Sequence, residues 1–121
     1  MEQIKSCVKL MTEKCLVIHD ELQDKIQNND FGYFLSYFAE ENYKNEKILS
    51  FLQTLNNTFN YTTKEELVDY LETTKKGYVK TRLQENPVNF STNPMANLIR
   101  LWDFEFYGEM IKKIDILLSK C

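Results

Sequence analysis

Glycine and proline are scarce: three Gly and two Pro in 121 residues. That argues against a turn-rich β structure, which needs them at many chain reversals. The three glycines, Gly32, Gly77 and Gly108, stand alone, so there is no Gly-rich phosphate loop. There is no Gly-x-Ser-x-Gly nucleophile elbow either. Histidine occurs once, at His19, and no Glu-x-x-His motif is present. A carboxylate di-metal site in a helical bundle needs two such motifs. Arginine is nearly missing: thirteen of the fifteen basic residues are Lys. Few residues are left for bidentate phosphate or base recognition. The net charge of -3 and a pI of about 5.2 also disfavour nucleic-acid binding. No run of about 18 apolar residues is present, so no membrane span is expected. Charges at Glu2, Lys5 and Lys9 break any apolar signal segment at the start, and a cytoplasmic protein is expected. Cysteine is limited to Cys7, Cys15 and Cys121, an odd number. Cys7 and Cys15 would lie about 12 Å apart along a helix, too far to bridge, so reduced thiols are expected.

What is present is helical periodicity. The chain has 43% hydrophobic and 13% aromatic residues, enough for one core. From Asn93 to Cys121, apolar residues recur at Met95, Ile99, Trp102, Phe106, Met110, Ile114, Leu117 and Cys121, always three or four apart. Asn93 suits the N-cap and Pro94 the first helical position. Leu98, Leu101, Phe104 and Tyr107 widen the apolar surface beyond one stripe. Such a helix is usually covered on several sides. We expect it to be the central element, about 40 Å long.

The first helix is expected from Gln3 to Gln27, with Ile4, Val8, Met11, Cys15, Ile18, Leu22 and Ile26 facing inward. Asp30 can cap a short aromatic helix holding Phe31, Tyr33, Phe34, Tyr37, Phe38 and Tyr43. A segment from Lys44 to Asn57 either continues it or starts anew. Thr62 and Thr63 each precede a Glu by three residues, two overlapping capping boxes for a helix from Lys64 to about Thr74. Gly77 is expected to interrupt or end that helix, with a further short one up to Glu85. Asn86 to Pro94 reads as a loop, with Val88 and Phe90 tucked inward. The expectation is one all-α domain over 1–121: five or six helices in a bundle around the last one.

The candidate sites are few. Cys15 and His19 are neighbours four apart on a helix. They could be a nucleophile with its base or half a metal site, but Cys15 falls on the apolar stripe as a small hydrophobe. Asp103 is read as paired with Arg100, and Trp102 as core. Glu40, Glu41 and Glu46 read as a solvated face. Three Asn-x-Ser/Thr triplets, at Asn56, Asn60 and Asn89, are read as chance matches in an Asn-rich chain. No catalytic residue, metal ligand or cofactor is expected, and the chain does not read as an enzyme. Carboxylates do gather at Asp20, Glu21 and Asp24, at Glu40 and Glu41, at Glu65, Glu66, Asp69 and Glu72, and at Glu105 and Glu109. Tyr43, Tyr70, Tyr78 and Tyr107 lie among them. Acid interleaved with Tyr suits a basic protein surface. Glu65, Glu66, Asp69, Tyr70, Glu72, Glu105 and Glu109 are the candidate partner-binding residues.

In general character this small, acidic, all-helical chain resembles bacterial immunity proteins of the colicin and contact-dependent growth inhibition systems. The resemblance implies an antitoxin role: binding a basic, nuclease-type toxin domain and occluding its active site. It transfers no residue, because no motif is matched. The rival reading is a viral or host-modulating Bcl-2-like bundle with a groove for a partner helix. The Asn-Trp-Gly-Arg motif of its cellular members is absent.

Overall fold

The computed structural model describes residues 1–28, 35–84 and 93–121, with only the backbone at 35 and 36. The expected cap at Asp30, the aromatics at 31–34, Glu85 and most of the loop at 86–94, with Val88, Asn89 and Phe90, lie outside them. Four helices occur among the described residues, and no strand. They are α1 (Glu2–Gln27), α2 (Leu35–Thr58), α3 (Lys64–Gln84) and α4 (Pro94–Ser119). The all-α expectation holds; five or six helices does not. Of the two alternatives at Lys44, continuation is the one found, inside α2, and the expected break at Gly77 is helical, inside α3. A helical Gly costs about 1 kcal/mol relative to Ala, less than abandoning the hydrogen bonds on either side.

Gly77 is exposed, and a Cβ built on it would meet nothing within 4 Å. Gly77→Ala should therefore stabilise the protein by about 0.5–1 kcal/mol, because only the entropy of the unfolded chain changes. A thermal melt should show a midpoint higher by a few degrees. A lower one would mean that α3 is not helical at this point.

The helix ends follow local chemistry. Of the two capping boxes, Thr63 is the one used. Its Oγ1 accepts from the Glu66 N–H at 3.2 Å and donates to Glu66 Oε1 at 3.3 Å. At α4, Asn93 Oδ1 accepts from the Met95 N–H at 3.0 Å, and Pro94 occupies the first turn.

The chain divides into two compact units: 4–60 with Glu2, and 61–121 with Met1 and Gln3. In the first, α1 and α2 run antiparallel. Lys5 lies over the Phe59 ring and Lys25 over Phe38, so the start of one helix meets the end of the other. Its buried apolar side chains are Ile4, Val8, Cys15, Leu22, Ile48, Leu52, Leu55 and Phe59. Ile18 and Ile26, expected inside, are exposed. Ile18 sits to one side of the buried row, since a 3.5-residue stripe drifts on a 3.6-residue helix, and Ile26 is in the last turn.

In the second unit, α3 and α4 are also antiparallel. Lys75 pairs with Asp115, Tyr78 meets Phe106 and Tyr107, and Arg82 Nε donates to the Phe104 carbonyl at 3.2 Å. The Arg82 guanidinium also covers the Phe104 ring, 4.0 Å from its centroid. Gly108 makes room for it: a Cβ there would stand 3.2 Å from an Arg82 nitrogen. On α4 the long apolar stripe is buried only at Phe106, Met110, Ile114 and Leu117. Met95, Ile99 and Cys121 are exposed and Trp102 is half-buried, so the stripe is not core along its whole length.

Candidate partner-binding surface

Position along α3 decides which acids stand together. Glu65, Asp69 and Glu72 are four and then three residues apart, which lines them up on one face. Glu66 and Tyr70 form an adjoining row. All five are exposed. The buried row of this helix, Leu67 and Leu71, points elsewhere, so the carboxylates carry no packing duty. Glu66 is the exception in role, because its carboxylate is held in the Thr63 cap. Beyond Glu72 the sign changes: Lys75, Lys76, Lys80 and Arg82 occupy the second half of α3. Acids at the start and bases at the end also complement the helix dipole.

The antiparallel pairing separates the remaining two candidates. Glu105 lies level with Arg82 and Glu109 with Tyr78, as the Arg82–Phe104 and Tyr78–Phe106 contacts require. Along the axis Glu105 is then about 15 Å beyond Glu72, and Glu109 about 9 Å. Glu105 is exposed, whereas Glu109 is half-buried and already engaged. The seven candidates are therefore not one patch. Five share the first half of α3, and two sit on α4 beside basic residues.

Tyrosine placement differs from expectation. Tyr70 is exposed, but Tyr43, Tyr78 and Tyr107 are half-buried. Tyr78, Phe106 and Tyr107 form an aromatic cluster with centroids 5.5–5.9 Å apart. The Tyr43 hydroxyl accepts from Lys47 Nζ at 2.8 Å. One residue the sequence reading missed is Tyr61, which is 87% exposed in the turn before α3. Its only sequence signal was its place between Asn60 and Thr62, where the helical pattern lapses.

The other candidates are placed as follows. Cys15 is buried, and its carbonyl accepts from Asn45 Nδ2 at 2.9 Å. Nδ1 of the half-buried His19 is shielded from solvent and has no hydrogen-bond partner among the described residues. Among the described residues, no three His, Cys, Asp or Glu side chains converge to hold a metal ion. Asp103 and Arg100 are both half-buried and both engaged. Glu46 is exposed, but Glu40 and Glu41 are not a solvated face. They are half-buried, 3.7 and 3.3 Å from the ammonium of Lys44, whose side chain is only 9% exposed. No described helix is long and apolar enough to cross a membrane.

Compared with known proteins, the chain matches no family model, no curated protein and no solved structure.

Proposed function

We propose that this chain is a cytoplasmic immunity protein that binds a basic, nuclease-type toxin domain and covers its active site. The observation that carries the reading is the exposed row Glu65, Asp69 and Glu72 on a capped helix, with Tyr61 and Tyr70 exposed nearby. A domain that cleaves nucleic acid needs positive charge around its site. A row of carboxylates on a rigid helix steers onto such a surface, and a few tyrosines then supply contact area. The function needs neither catalysis nor a cofactor from this chain.

The double variant Asp69→Lys/Glu72→Lys should keep the wild-type melt and slow association about tenfold at low salt, with the gap closing as salt rises. Stopped-flow association with the toxin domain encoded beside this chain measures it. Survival on co-expression with that domain scores the function. An unchanged association rate would move the interface off α3; absence of protection would remove the immunity reading.

A second reading draws on another observation. Val79, Leu83, Met95 and Ile99 are exposed, Leu83 at 76% and Met95 at 60%. Exposed apolar residues toward the end of α3 and the start of α4 suit a partner helix, as in the Bcl-2-like alternative. Binding of an amphipathic peptide that is lost in Leu83→Asp, with Asp69→Lys/Glu72→Lys unaffected, would favour it.

A further inference from the structure

Beside the buried Ile48 and Leu55, one side of α2 carries a row that is spaced like a coiled-coil seam but is not uniformly apolar. Phe38, Asn42, Asn45, Leu49, Leu52, Asn56 and Phe59 step by 4, 3, 4, 3, 4 and 3. Three of these seven positions are asparagine, and each asparagine bonds across the helix pair. Asn45 Nδ2 donates to the Cys15 carbonyl at 2.9 Å and is itself buried. Asn56 Nδ2 donates to Thr12 Oγ1 at 3.3 Å. Asn42 Oδ1 accepts from Gln23 Nε2 at 3.5 Å, while its Nδ2 donates to Glu46 at 3.4 Å. His19, which lies on α1 between Cys15 and Gln23, adds a buried nitrogen that has no partner among the described residues.

Such a seam is a poor choice for stability alone. Asn is a weaker helix former than Leu, and a buried amide gives up apolar contact. It is a good choice for specificity. Apolar side chains repeated every three or four residues pack almost equally well after one helix slides along the other by a turn, about 5.4 Å. An amide does not tolerate that, because it then faces an apolar side chain unpaired. The buried amide of Asn45 is satisfied in one alignment only, and the half-buried Asn42 and exposed Asn56 make their cross-helix bonds in that same alignment.

We propose that Asn42, Asn45 and Asn56 are a register lock: they select one axial alignment of α1 against α2 at the expense of stability. The test uses the full chain with Asn45→Leu, and separately Asn56→Leu at the exposed edge of the seam. The expected result is an unchanged or raised melting midpoint, together with a second set of amide resonances for α1 and α2 in a proton–nitrogen correlation spectrum, or a change of mass in solution. A merely stabilising hydrogen bond would behave otherwise. Its loss lowers the midpoint and leaves one set of resonances, and that outcome overturns the proposal. So does a variant that keeps both the wild-type spectrum and the wild-type mass, and so does an Asn45→Leu chain that fails to fold.

Discussion

Ile114→Asp should leave a chain with no cooperative unfolding transition. Ile114 is 0% exposed, and Met110 and Leu117, one turn to either side, are as fully buried. Truncation to Ala already costs about 2–5 kcal/mol at such a site, through lost transfer free energy and the cavity left behind. A domain of this size holds about 5–15 kcal/mol in total. Asp adds the desolvation of a carboxylate with no cation in reach on its own helix face: Met110 and Leu117 are its neighbours there. Urea titration followed by circular dichroism measures the effect. A sigmoidal transition at the wild-type midpoint would show that α4 is not buried where this structure buries it. Ile114→Ala should still fold, with its midpoint lowered by the smaller amount. The graded pair separates a core position from a merely helical one.

The second large effect concerns a charge. Lys44 is nearly buried between two half-buried carboxylates of its own helix. The three residues are i, i+1 and i+4, a spacing that brings both acids of α2 to the ammonium. Neutralising the acids in Glu40→Gln/Glu41→Gln leaves the ammonium shielded from water and without these two counter-charges. We expect a loss of about 1–3 kcal/mol, below the 3–5 typical of fully buried pairs because these carboxylates keep partial contact with water. Removing the cation instead, in Lys44→Met, also removes its desolvation cost. That variant should be neutral or more stable. Chemical denaturation of both chains gives the comparison. The reverse order, with Lys44→Met the more damaging, would show that the pair is a net source of stability rather than a buried charge being compensated.

Much of the helical framework was legible from residue order because it rests on local geometry. The Thr63–Glu66 cap and the Asn93–Pro94 start are arrangements of residues within four positions, and both occur as the sequence implies. The 3.6-residue period of α1 and α4 is equally local. Continuity through Gly77 was not legible, since one glycine reads as a break unless the hydrogen bonds around it are weighed against its cost. Candidate surface residues were half legible. The i, i+4, i+7 spacing alone put Glu65, Asp69 and Glu72 on one face. Nothing in the spacing could show that Glu105 and Glu109 stand level with Arg82 and Tyr78 instead of beside those acids.

That level is set by which way α4 runs against α3, a contact between residues tens of positions apart. The same holds for the tyrosines: Tyr70 and Tyr78 look alike in sequence, but only Tyr78 meets Phe106 and Tyr107. It holds for the asparagines of α2, which in the sequence were only part of an Asn-rich chain. Across the helix pair they face Thr12, Cys15 and Gln23. Helix propensity, capping and period act over one or two turns, so residue order alone determined where helices form. Partners of side chains depend on contacts between helices distant in the chain, and only the tertiary structure decided those.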